Sequence, residues 1–263
     1  MKNCVATIFF LFGSLSGTQG PDWITGVPEC PYWITAGSET YHFHRAREGG
    51  THQSGRIDGL RVGIDRIKRY GWYIGADYLY AKGQLKGETA TGRLVRSELT
   101  DQIYEVRLGF TLQQKNCKHP FITPFVGWGN FKEINDFFLP SPLPCKFTDT
   151  FDYYTVGFLS GVNFTPLLTM GINFKLRFMQ DAKSEVSNDP LFDKVTLLIK
   201  DEMHIRVDLP LIYMPCGSLL GIGFQLAPFY EYRHFGGREG FPFNFRDTKF
   251  YLYGTKFALV YRF

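Results

Sequence analysis

The stretch KFALVYRF, residues 256–263, closes the sequence and decides its fold. Side chains in a β-strand point alternately to opposite faces of the sheet. One face of this strand therefore carries Phe257, Leu259, Tyr261 and Phe263. Chain ends usually fray in water, so a wholly apolar strand face is unusual there. In lipid no strand edge can stay unpaired, and this ending therefore predicts the closing strand of a barrel in a membrane.

The same alternation recurs along the chain in segments of about ten residues, as expected of strands that cross an outer membrane. It is strictest in four segments, at 102–113, 170–178, 204–213 and 220–233. Weaker copies lie at 59–68, 72–84, 124–129 and 153–164. We place the first strand at about 39–47, with Tyr41 and Phe43 on its apolar face. A soluble sandwich or lipocalin-like barrel also alternates, but here aromatic residues gather at strand ends and charges of both signs fill the opposite face.

The links between these segments alternate in length. Short turns lie at 69–71, 115–119, 165–168 and 215–219. Long polar links lie at 48–57, 87–101, 136–151, 184–202 and 235–247. Outer-membrane barrels have short periplasmic turns and longer extracellular loops. The sequence therefore predicts an all-β, antiparallel transmembrane barrel of about ten strands (roughly 8–12), with both chain ends on the periplasmic side.

The composition and the first residues agree with an exported β-protein. Aromatic residues make up 17% of the 263 residues and 28 are glycine, which suits strands with close backbone approaches. Lys2, the apolar stretch Val5–Phe12 and the small and polar residues 13–20 are typical of a cleaved signal peptide. We expect a signal peptide at 1–20, a periplasmic lead-in at 21–38 and the barrel at 39–263.

The chain resembles bacterial outer-membrane β-barrel proteins, and its last strand resembles their carboxy-terminal insertion signal. The matching residues are Gly254, Phe257, Leu259, Tyr261 and Phe263. The resemblance implies location in a bacterial outer membrane and recognition by the barrel-assembly machinery. It also implies contact with outer-membrane lipid and lipopolysaccharide. We expect no cofactor and no nucleic-acid partner.

Charged side chains are expected to fill the lumen. The inward-facing set comprises Arg61, Asp65, Asp77, Glu105, Arg107, Lys175, Arg177, Arg206, Asp208, Glu231, Arg233, Lys256 and Arg262. A buried charge must be paired or it is very costly, and both signs are present, so the set predicts a salt-bridged structural core. A narrow pore is the alternative, and it would prefer anions because bases outnumber acids.

Three short motifs are candidates for catalytic or metal-binding sites. Glu202 and His204, two residues apart near the rim, resemble part of the site of omptin proteases, but the matching Asp-x-Asp pair is missing. His52 and Ser54 have the His-x-Ser spacing of outer-membrane phospholipases, in which histidine activates serine, yet they are expected in the first loop. Two histidines in i, i+2 spacing on one strand face can share a metal ion, and this places a weak candidate at His42 and His44.

Four cysteines follow the signal segment, at positions 30, 117, 145 and 216. Cys117 and Cys216 are expected in periplasmic turns too far apart to pair directly, whereas Cys30 can reach either of them. Cys145 is expected in an extracellular loop with no partner on its side. An oxidising compartment and an unpaired thiol favour cross-links to other envelope proteins, which resembles the envelopes of chlamydia-like bacteria.

Net charge is +4, and residues 233–246 mix basic and aromatic side chains that can bind lipopolysaccharide phosphates or partner surfaces. Three functions stay open at this point. They are a structural or adhesin-like surface barrel with a plugged lumen, a narrow anion-preferring pore, and a rim hydrolase.

Overall fold

The computed structural model describes residues 32–68, 70–112, 120–142, 145–165, 167–189, 194–215, 221–240 and 244–263. These ranges form β-strands and turns, and they contain no helix long and apolar enough to cross a membrane. The expected signal peptide at 1–20 and residues 21–31 of the expected lead-in lie outside the described residues.

Twelve strand segments follow one another along the chain. The first six are β1 (Tyr32–Arg47), β2 (Thr51–Arg66), β3 (Gly71–Glu88), β4 (Leu94–Thr111), β5 (Phe121–Phe138) and β6 (Lys146–Asn163). The last six are β7 (Leu168–Ser187), β8 (Lys194–Leu198), β9 (Met203–Asp208), β10 (Leu211–Tyr213), β11 (Ile222–Phe235) and β12 (Thr248–Arg262). Segments β8, β9 and β10 all pair with β7, and β9 and β10 also pair with β11, so together they form one barrel strand. The result is a closed antiparallel barrel of ten strands, which confirms the predicted fold class.

The barrel closes between β12 and β1. The seam runs from Trp33 opposite Arg262 up to Arg47 opposite Thr248. At its lower end Tyr32 and Phe263 exchange two backbone hydrogen bonds of 3.2 and 3.0 Å, and their rings stack with centroids 5.4 Å apart. We call this end of the barrel, where Tyr32 and Phe263 lie, the lower end. The terminal strand is therefore the closing strand that its sequence predicts.

A belt of large apolar side chains surrounds the lower part of the barrel. Its members on β4 and β12 are Tyr104, Val106, Leu108, Phe257, Leu259 and Tyr261, and each exposes between 43 and 52% of its surface. Aromatic side chains line its edges, with Trp72 below and Tyr104, Trp128 and Tyr154 above. Soluble monomers rarely expose contiguous apolar patches of this kind, whereas membrane barrels carry such a band between aromatic girdles.

Above the belt the same strands reverse their pattern. Tyr41 and Phe43, predicted to lie on the outer face of the first strand, point into the barrel and are 2 and 0% exposed. The outer face there carries His42 and His44 instead. This part of the prediction was wrong because the outer surface above the belt meets water, so the apolar face turns inward. The strand also begins at Tyr32 rather than at residue 39.

The long polar links are mostly strand. Residues 48–57, for example, contain only a short turn before β2 starts at Thr51, and β3 and β4 reach Glu88 and Leu94. Strands β1 to β7 have 16–20 residues, which greatly exceeds the roughly 9–11 that cross a bilayer. Their extra length forms a hydrogen-bonded extension above the belt. Gly49 and Gly50, with φ of 91° and 88°, make the first tight turn at its upper end.

Candidate functional site

Carboxylates from distant strands meet guanidinium groups in the middle of the lumen. Glu231 Oε2 accepts from Arg206 Nη1 at 2.9 Å, and its Oε1 accepts from Arg177 Nη1 at 2.9 Å and from Arg233 Nε at 2.8 Å. Glu39 on β1 also accepts from Arg206, at 3.1 Å, although the two residues are 167 positions apart. These contacts join β1, β7, β9 and β11 across the lumen.

A second group of acids extends this cluster toward β3 and β4. Asp77 lies 3.1 Å from Arg107 Nη2 and 3.4 Å from Lys175 Nζ. Glu105 accepts from Arg177 Nε at 3.1 Å and from Lys175, so it joins the two groups. We call this connected set the lumen network. Its members are Glu39, Arg61, Asp65, Asp77, Glu105, Arg107, Lys175, Arg177, Arg206, Asp208, Glu231 and Arg233.

Above the lumen network the interior is apolar and aromatic. Phe235 packs against Phe250 with ring centroids 4.6 Å apart, and Phe131 stacks on Phe151 at 4.5 Å. We call this the upper core. Its members include Tyr41, Phe43, Ile57, Leu79, Leu85, Leu99, Ile103, Phe131, Phe151, Phe235, Phe250 and Leu252. Since these side chains are almost fully buried, the upper core fills the barrel at this level.

One buried polar layer lies within the upper core. Arg45 Nη2 donates to Glu133 Oε1 at 3.0 Å and lies 3.6 Å from Asp149. Nearby, Asp101 Oδ2 accepts from the hydroxyl of Tyr41 at 2.7 Å and from Arg233 at 3.0 Å. Arg233 thus connects this layer to the lumen network below. Ion pairs and aromatic rings therefore follow one another along the interior.

The structure places the thirteen predicted lumen residues on inward strand positions, and eleven of them belong to the lumen network. The other two are Lys256 and Arg262, and the guanidinium of Arg262 lies 4.4 Å from the ring centre of Trp33. The sequence reading missed five buried charges, namely Glu39, Arg45, Asp101, Glu133 and Asp149. Glu39 and Arg45 share a strand face with Tyr41 and Phe43, and that face was predicted to point outward. Asp101 and Asp149 lie in predicted links, and Glu133 lies just before one of them. Continuing the inward and outward alternation of each strand into those links would have identified these residues as inward-facing.

The added residues change the charge balance of the interior. The predicted set holds eight bases and five acids, but the five missed residues bring both to nine. The excess of bases was the ground for an anion-preferring pore. Arg47, whose guanidinium lies over the rings of Phe147 and Phe245, leaves an excess of only one base, so little of that ground remains.

Glu202 and His204 do not form one site. His204 is 1% exposed and packs between Phe151 and Phe235, with ring centroids at 5.3 and 5.6 Å. Glu202 lies higher, at the rim, where its carboxylate is 3.1 Å from Lys200 Nζ. Glu202 precedes β9 and its carboxylate lies near Lys200 and His234, whereas the upper core encloses the imidazole of His204.

The other histidine motifs lie on the outer wall. His52 and Ser54 belong to strand β2 rather than to a loop, so that expectation was wrong, and Ser54 pairs across the sheet with His44. His42 and His44 lie beside Tyr253 and Tyr251, with ring centroids at 5.2 and 6.2 Å. In the described part of the chain, no three His, Cys, Asp or Glu residues are placed to hold a metal ion.

Cys145 is a buried free thiol just before β6, in contrast to the exposed position expected for a loop residue. Burial raises the pKa of its thiol, which lowers the fraction of reactive thiolate. Cys30, Cys117 and Cys216 lie outside the described residues.

A cavity of about 440 Å³ opens at the upper rim, and we call it the rim cavity. Its lining residues are Glu48, Lys200, Glu202, Gly236, Gly237, Arg238, Glu239, Asn244, Phe245, Arg246 and Asp247. His234 stands beside it, with Nε2 2.7 Å from Asp247 Oδ1 and Nδ1 3.8 Å from Glu202 Oε2. Arg233, which the sequence grouped with this basic segment, belongs instead to β11 and points into the lumen.

No family model and no curated protein matches the sequence. Among solved structures, the outer-membrane protease OmpT of Escherichia coli superposes with a TM-score of 0.57 and 11% identity, over 88% of this chain and 96% of that one. The translocator domain of the autotransporter NalP of Neisseria meningitidis gives 0.48 and 11%, over 98 and 93%. The outer-membrane protein OprG of Pseudomonas aeruginosa gives 0.39 and 8%, over 88 and 95%.

At these identities the likeness to OmpT concerns the fold. Together with the exposed apolar belt and the closed ten-stranded sheet, it defines the class of this protein. The chain is an integral β-barrel of the bacterial outer membrane.

Proposed function

We propose that the protein is a closed surface barrel with a structural or adhesin-like role, and that it does not conduct ions. One observation carries this proposal. The interior is filled at two successive levels, by the lumen network and then by the upper core. An ion crossing the barrel would have to part both paired charges and packed aromatic rings.

The extension above the belt supports the surface-interaction part of the proposal. Its outer wall carries polar side chains such as Lys82, Glu98 and Lys132, as a surface in contact with water does. In this proposal the upper end faces the cell exterior, since extracellular loops of such barrels are the longer ones. The extension would then hold the rim well above the lipid headgroups.

Conductance in planar bilayers tests the closed lumen. The purified barrel should add no stepwise current, whereas a known general porin in the same bilayer serves as the positive control. Regular stepwise increases in current from the folded protein would contradict the proposal and favour the narrow pore instead. Heat-modifiable gel migration confirms that the sample measured is folded.

Labelling on intact cells tests the orientation. Thr91 lies exposed in the turn between β3 and β4, at the upper end. In a background in which Cys30, Cys117, Cys145 and Cys216 are replaced by serine, Thr91→Cys should react with a membrane-impermeant maleimide on intact cells. Labelling only after cell lysis would place the upper end in the periplasm and overturn the surface role.

Envelope partners form a separate part of the proposal. We propose that the barrel is inserted by the barrel-assembly machinery, contacts lipopolysaccharide around its belt, and is cross-linked to other envelope proteins through Cys30, Cys117 or Cys216. Gels run with and without reductant test the cross-link. Migration at the monomer position under both conditions, with thiols blocked at lysis, would remove it.

A further inference from the structure

The rim cavity is the feature that the closed-barrel function leaves unused. Its volume lies within the roughly 300–1,000 Å³ typical of small-molecule sites. Its lining comes from the β1–β2 turn, from the residues between β8 and β9, and from residues 236–239 and 244–247, which lie between β11 and β12. These three segments lie far apart in sequence, so the cavity depends on the closed barrel.

The backbone around the cavity is fixed by hydrogen bonds. Gly236 and Lys200 exchange two backbone hydrogen bonds of 3.1 Å, and Arg238 and Phe245 exchange two of 2.9 Å. The amide of Glu48 donates to the carbonyl of Asp247 at 2.8 Å and fastens the first turn to the same wall. The side chain of Phe245 is 5% exposed and anchors this wall in the upper core. These hydrogen bonds hold together the described backbone that lines the cavity.

Part of the charge around the cavity is already paired. Lys200 neutralises Glu202 at 3.1 Å, and His234 lies against Asp247 at 2.7 Å. These contacts hold the cavity wall and leave little capacity for a ligand.

Four charged residues in the lining form no ion pair with another described residue. They are the bases Arg238 and Arg246 and the acids Glu48 and Glu239. All four are exposed in the free protein, and a ligand bound between them would displace water from each of them. A purely anionic ligand would satisfy the guanidinium groups but leave two carboxylates desolvated without a partner, and a purely cationic ligand would do the reverse.

We propose that the rim cavity binds a small zwitterion, a short peptide or amino acid with a free ammonium and a free carboxylate. Arg238 and Arg246 bind the carboxylate, because a guanidinium offers paired donors to its two oxygens. Glu48 and Glu239 accept from the ammonium group. This inference goes beyond the proposed closed-barrel function and does not depend on it, since a conducting barrel could carry the same rim site.

The experiment uses the full-length barrel in nanodiscs and isothermal titration calorimetry. The ligands are alanyl-alanine, its N-acetyl derivative, which lacks the ammonium, and its amide, which lacks the carboxylate. Alanyl-alanine should bind saturably at one site. Each capped ligand should bind at least about tenfold more weakly, because it leaves a charge-assisted hydrogen bond unmade.

Variants assign the two ends of the ligand. Arg238→Gln with Arg246→Gln should abolish the preference for alanyl-alanine over its amide and keep the preference over the N-acetyl form. Glu48→Gln with Glu239→Gln should do the opposite. Lys86→Gln, which removes an exposed charge from the outer wall of β3, is the matched control and should change neither.

Three results would overturn the inference. The first is the absence of saturable binding by a barrel that shows heat-modifiable migration. The second is equal binding of the N-acetyl form, which would mark a plain anion site. The third is wild-type preference in both double variants, which would place the ligand elsewhere on the barrel.

Discussion

The two halves of a single strand obey opposite rules in this barrel. On β4, the lower half turns Val106 and Leu108 outward and Glu105 inward, whereas the upper half turns Glu98 outward and Leu99 inward. On β4 the alternation itself never breaks. What changes is the medium on the outer wall, which is lipid below and water above. The point at which the apolar face of a strand changes from outward to inward therefore indicates where that strand leaves the membrane.

The two halves are also stabilised differently. In the upper half, burial of the aromatic core is driven by the hydrophobic effect, as in a soluble protein. In the lower half, the apolar side chains already rest in lipid on the outside, and the interior is filled by ion pairs. These charges stay buried because they are paired, and the enclosed acids Glu39, Asp77, Glu105 and Glu231 have two or three basic partners each.

The largest expected effect comes from breaking the lumen network. Glu231→Ala leaves Arg177, Arg206 and Arg233 without a shared acceptor in a closed interior. We expect it to lower the free energy of unfolding by about 3–5 kcal/mol, measured by urea titration with heat-modifiable migration as the readout. The control is Glu98→Gln, whose partner Lys82 is half exposed, and which should cost less than about 1 kcal/mol. Equal effects of the two variants would show that the lumen network is not cooperative.

Removing one leucine from each half of β4 compares the two media directly. Leu99→Ala opens a cavity in the upper core and should cost about 2–5 kcal/mol. Leu108→Ala removes the same atoms from the lipid-facing wall, where lipid chains can fill the space, and should cost clearly less. Urea titration of both variants in the same bilayer gives the difference. A reversed order would mean that the upper half is not a packed core.

Adding a charge to the outer wall tests the height of the belt. Leu259→Arg places a charge on the lipid-facing wall and should cost about 2–4 kcal/mol. Thr100→Arg places it on the outer wall of β4 above the belt, where water solvates it, and should be nearly neutral. The two variants should also differ in the yield of inserted barrel. A large loss from Thr100→Arg would put the bilayer boundary higher than the aromatic girdle does.

The smallest effect is on chemical reactivity and leaves stability unchanged. Burial raises the pKa of the Cys145 thiol, so its thiolate fraction at neutral pH lies below that of an exposed cysteine. Its maleimide labelling should be slow at pH 7, and its rate should keep rising with pH beyond the point where an exposed thiol levels off. Thr91→Cys in a Cys145→Ser background is the exposed comparison. Equal rates at pH 7 would show that the upper core opens readily around Cys145.

The sequence predicted the lower half better than the upper half. For Leu108, Phe257 and the other belt residues, apolar side chains point outward and charged ones point inward. The alternation in the sequence was therefore enough to assign these residues to a strand and to its outer face. The same rule failed at Tyr41 and Phe43, which it turned outward. It also treated Asp101 and Asp149 as residues of polar links and assigned Glu133 to no strand, because strands above the belt have polar outer faces that resemble loop sequence.

By itself, the sequence determined the barrel, its strand number and its closing strand, because two-residue periodicity and the need to pair every edge in lipid act locally along the chain. Only the tertiary structure decided what fills that barrel. Glu39 meets Arg206 across 167 residues, and the rim cavity brings together three separate segments. Such contacts depend on shear and register around the closed sheet, a property of all ten strands together rather than of any one segment.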